Sequence, residues 1–232
     1  MRRREFNHAA CMGALLAWGL AGHAAAQDSG ALSSTDALGG VRDALLQGAR
    51  AAVSQLGQTG GFLNNPKVRI GLPGVLDGVA PVLKATGQGK RLDVLVLAMN
   101  EAAERAVPLA GDLLVQAIQH LSVGDARRIL TGGDTSVTEF FVDKTRASLT
   151  AQFLPVVKRS IDQVQLADKY QAVAGRAAQL GLIKPEDADL PGYVTARTLA
   201  GLYQMIGEEE RKIRQNPAQA GSALLKKVFG AL

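Results

Sequence analysis

Apolar residues recur at intervals of three and four through most of this chain, the spacing that lines one face of a helix. From Thr35 to Leu56 the positions Leu38, Val41, Leu45, Ala49, Ala52, Val53 and Leu56 form one stripe, and Gly57 follows as a C-cap. Pro73 to Thr86 reads as a short helix stopped by Gly87 and Gly89. Arg91 to Leu121 carries Val94, Leu95, Val96, Leu97 and Met99, apolar nearly all round, which predicts a buried central helix with a kink or break at Pro108. Ser122 and Asp125 open a short helix that closes at Gly132-Gly133. Asp134 then caps a helix whose face runs through Phe140, Ala147, Ala151, Leu154, Val157, Ile161 and Val164, with a kink expected at Pro155.

Leu166 to Leu180 follows with Tyr170, Val173, Ala174 and Ala177 inward, ended by Gly181. Pro191 to Arg214 turns Leu199, Leu202, Ile206 and Ile213 inward, and Asn216-Pro217 breaks the chain before an amphipathic helix from Ala218 to Phe229. Only Val68-Arg69-Ile70 alternates as a strand would, and three residues build no sheet. The prediction is an all-α, single-domain helical bundle of about seven to nine helices over residues 35–232, preceded by a short disordered stretch at 27–34.

The first residues follow a different pattern. Arg2, Arg3 and Arg4 precede an apolar run from Ala9 to Ala21 that is too short for a bilayer core of ~30 Å. Ala24-Ala25-Ala26 supplies the small residues of a cleavage site, so residues 1–26 read as a signal peptide and the mature chain as periplasmic or secreted. Arg3-Arg4-Glu5-Phe6 resembles the twin-arginine core, although Arg2, Asn7 and His8 depart from its flanks, and both export routes stay open. Cys11 sits at the start of the apolar run, where a lipoprotein cysteine would follow it.

Cleavage there changes what chemistry is available. The only Cys and the only Trp leave with the signal, His120 becomes the sole histidine, and the net charge falls from +5 to +3. Haem, iron–sulfur and structural zinc need Cys or several His, so no cofactor and no such metal site is expected. A di-iron site would want Glu-x-x-His pairs, which are missing. Few aromatics and a modest charge argue against nucleic acid as a partner. No second apolar segment approaches membrane-spanning length.

Candidate sites are weighed against simpler roles. The cluster Glu186, Asp187 and Asp189 reads as a first helical turn rather than a hard-cation site. Asp112 lies two turns, about 12 Å, from His120 and cannot orient it within one helix, so a triad with Ser122 is disfavoured. Thr131-Gly132-Gly133-Asp134 lacks the Lys-Ser/Thr pair of a phosphate loop. Glu208 to Lys212 reads as a solvated face, with Glu208–Lys212 and Glu210–Arg214 at pairing distance, and Glu101–Arg105 as a surface pair. Asn100 and Glu104 on the most apolar helix form a candidate core polar site, and Glu101 and Glu104 are the candidate catalytic acids.

The long connection from Gln58 to Leu72 is the main anomaly, since loops of that length are often functional. Either Phe62 and Leu63 tuck inward as anchors and the loop is structural, or Asn64, Asn65, Lys67 and Arg69 present a polar rim to a ligand or partner. The C-terminal helix sets Leu224, Leu225, Val228 and Phe229 opposite Lys226 and Lys227, for core packing or else peripheral membrane contact.

Three segments in order carry a family resemblance: Gly61-Phe62-Leu63-Asn64-Asn65-Pro66, Leu130-Thr131-Gly132-Gly133-Asp134, and Gly221-Ser222-Ala223-Leu224-Leu225-Lys226-Lys227-Val228-Phe229. With them the chain resembles domain-of-unknown-function family 4197, a group of bacterial exported proteins, from about Leu32 to Phe229. The resemblance implies export and supplies no activity, ligand or catalytic residue. The functional expectation is therefore a non-enzymatic periplasmic domain that binds an envelope protein or an apolar small molecule. The alternative is a carboxylate-dependent hydrolase of cell-envelope glycans using Glu101 or Glu104, which would need two acids roughly 5–9.5 Å apart.

Overall fold

The computed structural model describes residues 32–121, 124, 126–182 and 189–232, and residues 32–232 form one compact unit. The signal-peptide reading, Cys11, Ser122, Asp125, Glu186 and Asp187 lie outside the described residues. The elements are α1 (Ser34–Leu56), α2 (Gly74–Asp77), α3 (Ala80–Ala85), α4 (Gly89–Gln119), α5 (Ala126–Leu130), α6 (Ser136–Gln163), α7 (Leu166–Gln179), α8 (Leu190–Gln215) and α9 (Ala223–Gly230). A single 3-10 turn, Pro217–Gln219, precedes α9, and the described residues contain no strand. The protein is an all-α bundle, as the periodicity predicts. Its four long helices form a ring in which α1 packs on α4, α4 on α6, α6 on α8 and α8 on α1. Helix α7 lies against α4 and α6, while α9 lies against α1 and α8.

Several local expectations are corrected. Helix α4 runs through Pro108 and α6 through Pro155, and both prolines are exposed. The segment from Pro73 to Thr86 instead splits, because Pro81 has no N–H to bond the Asp77 carbonyl and α3 restarts with that proline in its first turn. Helix α4 is not enclosed all round: Leu92, Leu95, Ala98 and Met99 are buried, but Val94 is 44% and Leu97 40% exposed at a corner of the ring.

In its first half the inward face of α6 lies about one residue from the expected one, through Val137, Phe141, Thr145, Leu149 and Phe153, while Val157, Ile161 and Val164 are buried as expected. Hydroxyl residues made that face look polar. The Thr145 hydroxyl donates to the Phe141 carbonyl (2.6 Å) and Ser160 to the Val156 carbonyl (3.2 Å), so they enter the core with their donors satisfied. Ala147 and Ala151, counted inward from the sequence, are exposed.

The start of α6 is also capped from elsewhere. Asp134 is exposed, and Thr135 at the N-cap position offers no side-chain cap. The carboxylate of Glu210 on α8 takes the role, accepting from the Val137 amide (3.0 Å), the Thr138 amide (2.8 Å) and the Thr138 hydroxyl (2.7 Å). Glu210 is 1% exposed, which corrects its reading as part of a solvated face. Arg214 pairs with it at 2.9 Å, donates to the Leu130 carbonyl (2.7 Å) and the Ser136 hydroxyl (2.8 Å), and stands over the Phe229 ring.

The C-terminal helix is part of the core. Ser222 caps α9 by accepting from the Leu225 amide (3.1 Å), and Leu225, Val228 and Phe229 are buried. The helix seats on paired glycines of α1: a Cβ at Gly40 would fall 2.7 Å from Val228 Cγ1, and one at Gly39 2.8 Å from Leu224 Cδ2. Lys227–Asp36 (2.8 Å) closes the edge of this contact.

Two glycine substitutions test this packing, since Ala gains roughly 0.5–1 kcal/mol over Gly in a helix interior. Gly175→Ala, where a Cβ meets nothing within 4 Å, should raise the thermal midpoint. Gly40→Ala should lower it despite the same gain, because overpacking against Val228 costs about 1–3 kcal/mol.

Candidate functional site

The loop between α1 and α2 is long but not loose. Glu104, 6% exposed on α4, accepts the Gly60 amide (3.0 Å) on one oxygen and the Phe62 (3.0 Å) and Leu63 (3.1 Å) amides on the other. One turn earlier, fully buried Asn100 accepts the Ile70 amide (2.9 Å) and donates to the Ile70 carbonyl (2.9 Å) and the Val96 carbonyl (2.7 Å). The two side chains hold the loop at both ends, where its backbone has no helix or sheet to satisfy it. Phe62 is buried against α8, where a Cβ at Gly201 would meet its ring at 2.7 Å. Farther along, the Tyr193 hydroxyl donates to the Gly71 and Leu72 carbonyls (3.1 and 3.2 Å).

This arrangement gives Glu104 a structural role, both of its oxygens accepting main-chain amides of the loop. Glu101, next to Asn100 in sequence and three residues before Glu104, is half-buried and makes no ion pair with exposed Arg105.

The concavity that the bundle does offer lies elsewhere, between α6 and α8, with a volume of about 760 Å³. Its floor is Val142, Tyr203 and Gly207. At Gly207 a Cβ would fall 3.3 Å from the Thr135 methyl, so glycine lets α8 close on the start of α6. The walls carry Glu139, Asp143 and Arg146 from α6, Gln204, Glu208 and Arg211 from α8, and Lys67 from the pinned loop. Of the rim residues expected on that loop, Lys67 lines the groove, bonded to Glu208 at 2.8 Å. Asn64 and Arg69 are exposed without lining it, and Asn65 is half-buried with its amide toward the Met205 sulfur (3.9 Å).

The lining charges are unevenly partnered. Glu139 accepts from the Thr135 hydroxyl (2.7 Å), Glu208 holds Lys67, and Asp143 lies 3.5 Å from Lys144 outside the groove. Arg146 and Arg211 make no side-chain hydrogen bond or ion pair with a described residue. Tyr203 is 7% exposed and stacks edge-on to Phe141. The Tyr203 and Thr145 hydroxyls share a hydrogen bond of 3.2 Å. Burial pushes the Tyr203 phenol above its usual range, against the opposing pull of the Thr145 hydrogen bond and the Arg146 charge.

Arg146, Arg211, Tyr203 and Gly207 escaped the sequence reading. The available signal was the stripe Tyr203, Gly207, Arg211 at spacings of four on one helix. A smaller hollow of about 430 Å³ between α4 and α6 holds Gln116, His120, Lys144 and Ser148. His120 and Asp112 are exposed there and on α4, and among the described residues no three His, Cys, Asp or Glu side chains converge. No described helix is long and apolar enough to cross a membrane.

Comparison with known proteins agrees with the resemblance carried by the three sequence segments. The family model described as "Protein of unknown function (DUF4197)" matches residues 31–230, so the chain belongs to that family. No curated protein and no solved structure matches it.

Two measurements check the geometry. Glu104→Ala should destabilise the fold by about 3 kcal/mol, the scale of hydrogen bonds to a charged acceptor, in denaturant unfolding. Hydrogen exchange should then quicken at the Gly60, Phe62 and Leu63 amides before it does in α7. At alkaline pH, unfolded chains lose the phenol proton near ~10 while folded Tyr203 keeps it, so stability should fall as pH rises through and above that value. Tyr203→Phe should flatten this alkaline decline, and an unchanged slope would assign the decline to other groups.

Proposed function

We propose that this member of the DUF4197 family is an exported, non-catalytic binding domain that receives a partner in the groove between α6 and α8. The observation that carries the reading is the pair of unpartnered guanidiniums, Arg146 and Arg211, in the walls of a concavity whose size suits a bound group. Arginine and tyrosine are the side chains most enriched where binding energy concentrates, and both are present here around a rigid floor. The charged walls favour a polypeptide over an apolar small molecule. The apolar face of α9, the other surface considered, is occupied by α1.

Export is supported by the basic start at Arg2–Arg4, the short apolar run and Ala24-Ala25-Ala26. The candidate core polar site, Asn100 and Glu104, supports binding, since the two side chains hold the loop from which Lys67 reaches Glu208. A partner in this groove meets walls that are already ordered, which lowers the entropy cost of association.

The test is photo-crosslinking in cells from a reactive residue at Gln204, exposed in the groove wall, with Lys158 on the exposed side of α6 as control. An envelope-fraction adduct from position 204 and not from 158 is expected. Native mass spectrometry on protein purified from the envelope complements it by revealing any retained small molecule. No adduct at 204, together with a clean single-chain mass, would remove the proposal.

A further inference from the structure

The charges of the groove have an order as well as a composition. Helices α6 and α8 run antiparallel, with Thr138 opposite Glu210 and Thr145 opposite Tyr203. That register sets Arg211 opposite Val137, about 13 Å from Arg146 along α6 at ~1.5 Å per residue. Between these two cations stand Glu139 and Asp143, one turn apart on α6. The remaining pair, Lys67 and Glu208, neutralises itself. Read along its length, the groove is cationic, anionic and cationic.

An extended chain matches this order. It rises ~3.3 Å per residue and turns residues i, i+2 and i+4 to one face, so i and i+4 are about 13 Å apart. A helix would fit less well. A helix, rising ~1.5 Å per residue, needs about nine residues to span the distance that an extended chain spans in about four. We therefore infer that the groove recognises an extended segment of another protein with an acidic residue at i, a basic one at i+2 and an acidic one at i+4. The outer carboxylates meet Arg146 and Arg211, each able to form a bidentate pair, and the central cation lies by Glu139 and Asp143. The segment's backbone crosses the floor at Gly207, where no side chain stands in its way. This inference rests on the groove being the binding site.

The test compares two labelled pentapeptides, acetylated and amidated to remove terminal charge: Glu-Ala-Lys-Ala-Glu and its inverse Lys-Ala-Glu-Ala-Lys. Their binding to residues 32–232 is followed by fluorescence anisotropy at low salt. The first should bind at least tenfold more tightly, with the difference shrinking as salt screens the charges. The R146E/R211E variant should reverse the preference, and its unfolding midpoint should stay near wild type because neither side chain bonds within the fold. Equal binding of the two peptides, binding of neither, or a preference that survives the double reversal would overturn the inference. If crosslinking from position 204 still captures a partner in those cases, the groove remains the binding site and only the extended acid–base–acid segment is lost. If crosslinking also fails, both fall together.

Discussion

The carboxylate of Glu210 is the point on which the bundle's assembly turns. A helix of the length of α6 begins with main-chain amides that its own turns cannot satisfy, and its dipole gathers partial positive charge there. Serine, threonine or aspartate next to the start is the ordinary remedy. Here the remedy comes from a distant helix, so α6 cannot complete its first turn unless α8 is in place beside it. A carboxylate this buried carries a large desolvation cost unless its lone pairs are filled. Two amides, a hydroxyl and Arg214 fill them. Arg214 in turn reaches the end of α5 through the Leu130 carbonyl and α9 through the Phe229 ring. One ion pair thus joins four helices that are far apart in sequence. Glu104 repeats the arrangement at the other side of α8, with loop amides in place of a helix start.

Close approach between helices does the rest, and it depends on residues with little or no side chain. Aromatic residues are 4% of the chain, and much of the core is alanine. Such a core reaches native density only if backbones come near each other. Gly48 on α1 admits Ile206, Gly40 admits Val228, and Gly201 admits the ring of Phe62. Gly207 has the same origin and a different consequence. It lets α8 close on Thr135, and because it has no side chain it also leaves a hollow on the solvent side, the floor of the groove.

How much of this was legible depends on the range of the interaction. Helices α1, α7 and α8 could be read because their periodic apolar stripes and glycine stops, Gly181 among them, act within the element itself. The inward face of α6 was legible only in part, because Thr138, Thr145 and Ser160 are polar by composition and apolar by behaviour once each hydroxyl is satisfied. Asn100 and Glu104 stood out as polar residues on an apolar helix, but their partners lay 30 and 41 to 44 positions away in a loop with no periodicity. Glu210 was least legible of all. Its spacing to Arg214 is the same on a solvated face as in a core, and what decides between them is the neighbouring start of α6.

Three consecutive glutamates show how closely the core and the groove are coupled. Each residue of a helix is turned roughly 100° from the last, and Glu208, Glu209 and Glu210 accordingly face three neighbours. Glu208 meets Lys67 at the groove, Glu209 accepts from Gln47 on α1 and pairs with Lys212, and Glu210 enters the core. The groove wall is therefore one residue removed from the ion pair that fixes α8 against α6. Rotating α8 to widen the groove would pull Glu210 from the amides of α6 and draw Arg214, on the same helix, away from the Leu130 carbonyl and the Ser136 hydroxyl. The spacing between Arg146 and Arg211 is held by that penalty, which is why a groove open to solvent can still read the positions of charges along a chain.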